Sequence, residues 1–338
     1  MPDIAPGISP DAIGRAVDLL NAGQLVGLPT ETVYGLAADA DNDVAVQQIF
    51  SAKGRPADHP LIVHLGADDL LPRYARDIPE DAWALAEAFW PGPLTLILKK
   101  AAGVSDVVTG GQDTVGVRIP GHPVALALLR AFAADRPTGG GLAAPSANRF
   151  GRISPTTARH VADELGDRVP LILDGGDCQV GIESTIVDLS RGVPVVLRPG
   201  AISAEQMALV LGKPVAAKMP ASSDEPRVSG SLASHYAPST PLQVVDAATM
   251  MHQLETCGES PRIAVIARDV PEFENRLRQQ PGVVVLADDP PSYAHDFYRA
   301  LRELDTGGYA RILVQALPDT PAWLAVQDRL GRAAHREP

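Results

Sequence analysis

Apolar residues recur along the chain at two spacings, and each spacing predicts one type of element. Ile13, Val17 and Leu20 follow the helical spacing, whereas residues 25–28 and 61–65 are short apolar runs typical of buried strands. Alternation of short strands with helices predicts an α/β domain. Because several strands are expected for each helix, we predict a mixed sheet rather than a purely parallel one.

The predicted elements form two groups that are separated by a stretch without periodicity. In the first group, helices are expected over 11–21, 44–53, 81–89, 123–134 and 156–165, and strands over 25–28, 61–65, 94–98, 115–119, 142–144, 171–174, 184–188 and 195–197. In the second, strands are expected over 242–245, 263–267, 283–287 and 311–317, and helices over 248–255, 292–305 and 323–332. Residues 213–241 are rich in proline and small residues and predict a linker. The expected organisation is a first domain over 1–212, a linker over 213–241 and a small Rossmann-like α/β domain over 242–338.

Composition narrows the class of protein. The 338 residues include 29 bases and 41 acids, a net charge of −12, and 45% of them are hydrophobic. This composition is typical of globular domains, and the acidic balance argues against a general nucleic-acid coat. No apolar run approaches the roughly 20 residues of a membrane helix, and the first residues do not resemble a secretory signal. Cys178 and Cys257 are too few for a disulfide framework or a zinc site, so we expect a cytoplasmic protein.

Several common signatures are absent from the sequence. There is no GxxxxGK[ST] phosphate loop, no GxGxxG after a predicted strand, no HExxH and no GxSxG. The chemistry must therefore come from less familiar segments.

Four loops place polar or cationic residues next to predicted strand ends, where open α/β sheets bind ligands, and the first two follow residues 28 and 52. Thr30, Glu31 and Thr32 follow the strand at 25–28 and fit either a small polar substrate or an ordinary capping turn. Lys53 and Arg55 flank a glycine and suit a phosphate or carboxylate, although a solvated helix end is an equally good interpretation.

The third and fourth loops, around Arg118 and over residues 139–157, are the stronger indications of a binding site. Arg118 lies inside an apolar strand, where a charge requires a partner or a ligand. Residues 139–157 gather small and hydroxylic side chains, including Ser146, Asn148 and Ser154, ahead of a helix whose N-terminus favours anions. Ser184 and Arg198 belong to two later strand-associated segments.

Six segments, in this order, resemble the YrdC-type threonylcarbamoyl-AMP synthases. They are PTETVYGL, AKGRP followed by PLIVH, VGVRIP, APSAN-RFG-ISPTT, ESTIVD and VLRPG, and they span about residues 12–205. The remainder is similar to the long, two-domain form of the family, in which a linker carries a His-Tyr-Ala-Pro motif, here His235-Tyr236-Ala237-Pro238. The resemblance implies a twisted open α/β sheet followed by the smaller Rossmann-like domain.

The resemblance also implies an activity, which is the condensation of L-threonine, bicarbonate and ATP to L-threonylcarbamoyl-adenylate with release of pyrophosphate. The product would serve a downstream threonylcarbamoyl transferase complex that modifies tRNAs reading ANN codons. Mg²⁺ is expected to arrive on the ATP phosphates, with no metal site of the protein's own and no organic cofactor. No covalent protein nucleophile is needed, because positioning and charge stabilisation by Lys53 and Arg55 would carry the rate.

The site residues follow from the same motifs. The threonine pocket would use Thr32, His64, Arg118, Ala144 and Ser184. The ATP site would use Lys53, Arg55, His59, Thr114, Ser146, Asn148, Ser154, Arg198 and Tyr236. Tyr236 comes from the linker, so we expect the linker to close over the pocket as a lid, against the alternative of a plain tether between domains.

A different class of function is double-stranded RNA binding or ribosome assembly, which the same fold could support. Residues 1–205 contain 16 bases and 25 acids, a net charge of −9 (16 minus 25), which disfavours a stable complex with nucleic acid. Carbamoyl transfer, as in hydrogenase-maturation relatives of the fold, is disfavoured because the chain lacks their zinc-finger cysteines.

Overall fold

The computed structural model describes residues 2–217, 226–230, 232, 234–256, 262–270 and 280–335. These residues form two compact units. The first comprises Met1–Phe150, Pro155–Gln179 and Glu183–Ser231, and the second comprises Gly151–Ser154, Val180–Ile182 and Leu232–Pro338. Two short segments of the first predicted domain, Gly151–Ser154 and Val180–Ile182, are thus part of the second unit.

The first unit is built on one mixed sheet. Its strands are β1 (Asp3–Pro6), β2 (Val26–Leu28), β3 (Gly35–Asp39), β4 (Ile62–His64), β5 (Leu94–Lys99), β6 (Thr114–Arg118), β7 (Leu142–Ala143), β8 (Leu171–Asp174), β9 (Thr185–Asp188), β10 (Val195–Arg198) and β11 (Ala216–Ala217). Within the described residues the spatial order is β1-β8-β2-β3-β7-β4-β6-β5-β9-β10-β11. The sheet contains both parallel pairs, such as β4 with β6, and antiparallel pairs, such as β5 with β6, so the predicted mixed sheet is confirmed.

Helices of the first unit are α1 (Pro10–Asn21), α2 (Asp43–Lys53), α3 (Leu71–Tyr74), α4 (Glu80–Phe89), α5 (Asp106–Thr109), α6 (Pro123–Ala134), α7 (Ala158–Leu165) and α8 (Ala204–Leu211). Helix α2 shows how local sequence fixes their ends. The Asn42 side chain accepts hydrogen bonds from the N–H groups of Val44 and Ala45, and Gly54 ends the helix at φ +63°. Lys53, the last residue of the helix, and Arg55, just beyond Gly54, are both buried.

Six elements of the first unit were not predicted, namely β1, β3, β11, α3, α5 and α8. Strand β3 is short and rich in alanine, a residue with little preference for strands, and tertiary burial decides its conformation. Helix α8 carried a usable signal, because Ser203 and Gln206 form a reciprocal capping box at its start.

The second unit contains a parallel sheet with the order β12-β15-β13-β14. Its elements are β12 (Leu242–Val245), α9 (Ala247–Thr256), β13 (Ile263–Arg268), β14 (Val283–Leu286), α10 (Pro290–Asp305), β15 (Arg311–Gln315) and α11 (Leu324–Ala334). The strands and helices alternate as predicted, and the smaller α/β fold is confirmed. In the described stretches of both units, no helix is long and apolar enough to cross a membrane.

Candidate active site

Strand β6 separates polar from apolar residues between its two faces. Because side chains alternate along a strand, Thr114 and Arg118 share one face, and Val115 and Val117 share the other. The two valines belong to the main apolar core. Arg118 lies directly opposite His64 of β4. We call the side with Arg118 and His64 the front face of the sheet and the valine side its back face.

Strand pairing extends the front face across the neighbouring strands. Ile97 of β5 lies opposite Gly116, and Thr95 lies opposite Ile186 of β9. Arg198 of β10 also pairs with Ile186. Ile97, Gly116 and Ile186 therefore form an apolar strip in the middle of the front face. Cations and hydroxyl groups border this strip, among them Arg118, Thr95 and Arg198.

This arrangement differs from the predicted one, in which the polar residues met at the ends of strands. In the mixed sheet β7 runs antiparallel to both β3 and β4, so the carboxyl ends of neighbouring strands do not share one edge. The site therefore lies across a face, and the loop at 29–34 reaches Arg118 from the end of β2.

Arg118 is held by three acceptors from that side of the sheet. Its Nη1 donates to Thr32 Oγ1 at 2.9 Å, and its Nε donates to the carbonyl of Gly92 at 3.1 Å. Its Nη2 lies 2.7 Å from Glu31 Oε1, and both side chains are almost completely buried. Burial by itself would raise the pKa of Glu31, but the Arg118 charge and the hydrogen bonds from Gly121 and Arg118 together hold the pKa below its usual value.

Glu31 is the main residue that sequence analysis left out of the site. Its loop was recognised, but its role as the partner of Arg118 was not. The available signal was the demand of a charged side chain inside an apolar strand for a counterion, and Glu31 is the acid in the neighbouring polar loop.

His64 and Ala144 complete the surroundings of Arg118. The His64 ring is buried, with Nδ1 3.2 Å from the carbonyl oxygen of Ile62. Burial, helped by the nearby Arg118 charge, lowers the pKa of His64 to about 3. The Ala144 N–H donates to the same Ile62 carbonyl at 3.1 Å. The histidine is thus neutral at physiological pH, and Arg118 supplies the positive charge of this region.

Ser184 lies at the second border of the front face, where it contacts both Thr95 and Arg198. Its hydroxyl lies 2.8 Å from Thr95 Oγ1, and its carbonyl accepts hydrogen bonds from Arg198 Nε at 3.1 Å and Nη2 at 2.9 Å. Arg198 is buried and also donates from Nη1 to the carbonyl of Ser229 at 2.8 Å. Arg198 therefore fixes the start of β9, where Ser184 lies.

Lys53 is buried beside the loop that follows β7. Its Nζ donates to the carbonyls of Ser146 and Asn148, both at 2.5 Å. Burial, with a further contribution from Arg55, lowers the pKa of the Lys53 ammonium well below its usual value. The Ser146–Asn148 turn is therefore organised by the cation that sequence analysis assigned to charge stabilisation.

Arg55 and His59 lie against one aromatic ring. The Arg55 guanidinium is 6.0 Å from the centre of the Phe150 ring, and His59 meets the same ring edge-on at 5.4 Å. Arg55 Nη2 also donates to the carbonyl of Pro60 at 3.0 Å. Burial, followed by the Arg55 charge, lowers the pKa of His59.

A cleft on the front face contains Thr114 and part of the predicted linker. Its floor is the apolar strip, and Arg227, Val228 and Ser229 form one wall. Val228 is buried in a cluster with Ile97, Ile186 and Leu197. Residues 226–230 thus belong to the first unit and cover part of its front face.

Two residues of the predicted ATP set, Ser154 and Tyr236, belong to the second unit. Both are buried. Tyr236 adopts φ +61°, which is uncommon for a residue other than glycine. In the first unit Arg118 contacts Thr32, Arg198 contacts Ser184, and Lys53 contacts the Ser146–Asn148 turn. The assignment of each residue to threonine or ATP stays a prediction.

Among the described residues, no three His, Cys, Asp or Glu side chains are grouped as a metal site. Cys178 is buried, and its burial raises the pKa of the thiol far above its usual value. Cys257 lies outside the described residues.

Comparison with known proteins identifies the family. Residues 18–200 match the family model described as Telomere recombination, and residues 202–335 match the C-terminal domain of threonylcarbamoyl-AMP synthase. Threonylcarbamoyl-AMP synthases from Pyrococcus abyssi and Bacillus subtilis are 39% and 38% identical to the chain. The alignments cover 94% of this chain and 93% of the first relative, and 95% and 92% for the second.

Similarity to a solved structure extends over the same length. The crystal structure of P. abyssi Sua5 complexed with L-threonine has a TM-score of 0.85 and 38% identity, covering 95% of this chain and 94% of that one. These comparisons support the synthase interpretation and give no support to the RNA-binding alternative. The chain belongs to the threonylcarbamoyl-AMP synthase family.

Proposed function

We propose that the chain joins L-threonine, bicarbonate and ATP into L-threonylcarbamoyl-adenylate and releases pyrophosphate and water. The observation that carries the proposal is the front face, where Arg118 and hydroxyl groups border the same apolar strip as Arg198. A relative that covers nearly the whole chain is named for this reaction, and its structure was solved with L-threonine. In the cytoplasm the product would pass to a threonylcarbamoyl transferase complex that acts on tRNAs reading ANN codons.

Threonine binding would depend on Arg118 as the clamp for the substrate carboxylate. The guanidinium offers a planar pair of donors, and three protein acceptors already fix its orientation. Neutral His64 and the hydroxyls of Thr32 and Ser184 would receive the polar groups of the amino acid, and Ala144 would leave space for its side chain.

Chemistry would then proceed in two steps without a protein nucleophile. Bicarbonate takes up a proton and loses water to give CO2, and the threonine amine attacks this CO2, forming a C–N bond and losing a proton, to give a carbamate. A carbamate oxygen attacks the α-phosphorus of ATP, and the bond to the β-phosphate oxygen breaks as pyrophosphate leaves. Lys53, Arg55 and Arg198 would stabilise the phosphate charges, and His59, Thr114, Ser146, Asn148, Ser154 and Tyr236 would hold the nucleotide. Mg²⁺ would enter as part of the Mg–ATP substrate.

The decisive measurement is pyrophosphate release with threonine, with serine and without any amino acid. We expect release to require both L-threonine and bicarbonate. Equal release without threonine would disprove the synthase proposal. If the chain instead binds double-stranded RNA with an affinity that falls steeply with salt, the alternative function gains support.

We also propose that residues 213–241 act as a lid over the nucleotide. Val228 packs into the apolar strip, and the carbonyl of Ser229 binds Arg198, so the described part of this segment is more than a tether. Closure would exclude water from an adenylate that hydrolyses readily. A chain truncated after residue 212 should stay folded but lose most synthesis or release hydrolysed product. Full activity with an unchanged yield of intact product would refute the lid.

A further inference from the structure

One face of helix α10 contacts three segments of the second unit. His295, Tyr298, Arg302 and Asp305 are spaced so that they share this face. Beside His295, Gly181 approaches the helix so closely that a Cβ there would lie 2.5 Å from the His295 Cα. The other three side chains contact the segments that carry Ser154 and Tyr236.

Asp305 binds both sides of this arrangement. Its Oδ1 accepts from the Thr240 N–H at 2.7 Å, and its Oδ2 accepts from the Ser239 N–H at 3.0 Å and lies 2.8 Å from Arg152 Nη2. Burial by itself would raise the pKa of this carboxyl, but the N–H groups and Arg152 hold the pKa below its usual value. A single carboxylate thus joins the segment just after Tyr236 to the segment just before Ser154.

Arg302 holds the same loop from its other end. Its Nε donates to the Ser154 carbonyl at 3.3 Å, and its Nη2 donates to the Ile153 carbonyl. Ser154 is fully buried, and the Gly151 carbonyl accepts from the Ala237 N–H at 2.8 Å. Two donors on one planar group fix both the position and the direction of this backbone.

Tyr236 is fixed by rings as well as by its neighbours in the chain. It meets His235 edge-on at 4.1 Å and lies 5.7 Å from Tyr298, and the Arg329 guanidinium is 5.5 Å from its ring centre. A left-handed backbone at a bulky residue persists only where the surroundings strongly determine it. The second unit provides such surroundings.

We propose that Arg302 and Asp305 are positioning residues for nucleotide binding, through which α10 fixes Gly151–Ser154 and residues 235–240. This inference rests on the proposed function, because that function assigns Ser154 and Tyr236 to ATP. The inference gives the second unit a defined role, because the unit would hold in place two residues that bind ATP, Ser154 and Tyr236. Neither positioning residue needs to touch the nucleotide.

The test measures ATP binding by titration calorimetry and the KM values for ATP and threonine in the full chain. Arg302→Gln and Asp305→Asn should each weaken ATP binding about ten-fold, as expected for loss of one charge-assisted hydrogen bond. The KM for threonine should change less than three-fold. Arg302→Lys keeps one donor and should recover part of the loss. Arg299→Gln is the matched control, because Arg299 lies on the same helix, is exposed and pairs with Asp296.

A double variant separates positioning from general stability. If Arg302 acts through Ser154, adding Arg302→Gln to Ser154→Ala should cost clearly less than it does alone. Unchanged ATP binding in folded Arg302→Gln and Asp305→Asn, with Ser154→Ala impaired, would overturn the inference. So would equal losses for ATP and threonine that follow a lowered melting temperature. Failure of the wild-type chain to bind ATP would instead refute the proposed function.

Discussion

Strands β4, β5, β6 and β9 have two buried faces that differ in what they bury. The back face contributes Val63, Leu96, Val117 and Val187 to a continuous apolar core. The front face buries polar groups that make directional contacts, as Arg118 does with Thr32 and Glu31. On the back face, neighbouring residues can repack to compensate for a change in the volume of one side chain. On the front face, buried polar residues depend on the direction of their hydrogen bonds. We therefore expect substitutions on the back face to change stability and those on the front face to change substrate binding.

The largest effect is expected for Leu96→Ala on the back face. Leu96 is completely buried and lies opposite Val117, so the cavity should cost about 2–5 kcal/mol of unfolding free energy. The KM values should stay within about two-fold for the folded fraction, by analogy with other stability-only changes. Its neighbour on the front face provides the control, because Thr95→Val loses only one hydrogen bond, worth about 0.5–1.5 kcal/mol. Denaturant unfolding of both variants decides the matter, and equal losses would contradict the division between faces.

Arg118→Ala should weaken threonine binding by one to two decades, because a charge-assisted pair of bonds is worth about 1.5–3 kcal/mol. Steady-state kinetics should show a much smaller change in the KM for ATP. The variant also leaves Glu31 buried without its counterion, so its melting temperature must be recorded alongside. Arg159→Ala, at an exposed residue of α7, is the control. A fall in ATP affinity with unchanged threonine affinity would show that the assignment of residues to the threonine pocket and the ATP site is wrong.

The pH dependence of stability should depend on His64. Its pKa is about 3 in the folded state against 6.5 for an ordinary histidine, so the folded chain binds fewer protons than the unfolded chain between these values. The stabilisation by neutral His64 is present above pH 6.5 and is lost as the pH falls, at about 1.4 kcal/mol per pH unit. At pH 5, wild type should have lost about 2 kcal/mol relative to His64→Asn. Parallel curves for the two proteins would contradict this, and exposed His252→Asn should behave as wild type.

We expect Val228→Asp to have the smallest effect. It leaves both faces of the sheet unchanged and alters only residues 226–230, which cover part of the front face. Exposing the Val228 side chain to water costs about 1.5 kcal/mol. This free energy lowers the population of the state in which residues 226–230 pack on the front face by roughly ten-fold. The yield of intact threonylcarbamoyl-adenylate per pyrophosphate should fall, while stability changes little. Val193→Asp, at an exposed valine, should leave the yield unchanged. An unaltered yield in Val228→Asp would remove this residue from the lid.

Local sequence predicted most elements because their signals lie within a few residues. The limits predicted for the helix at 123–134 and the strands at 171–174 and 242–245 agree with α6, β8 and β12. Pro123 can begin α6 because the first helical residue needs no N–H. The alternation of polar and apolar residues in β6 already contained the difference between the two faces.

The sequence by itself determined the family, the α/β class and most of the candidate residues, because ordered motifs and hydrophobic periodicity are local properties. Only the tertiary structure decided that Glu31 pairs with Arg118, that Lys53 binds the Ser146–Asn148 turn, and that Ser154 belongs to the second unit. These pairings join residues that are far apart in the chain. They depend on strand order, and a mixed sheet can arrange the same strands in many orders that local patterns do not distinguish.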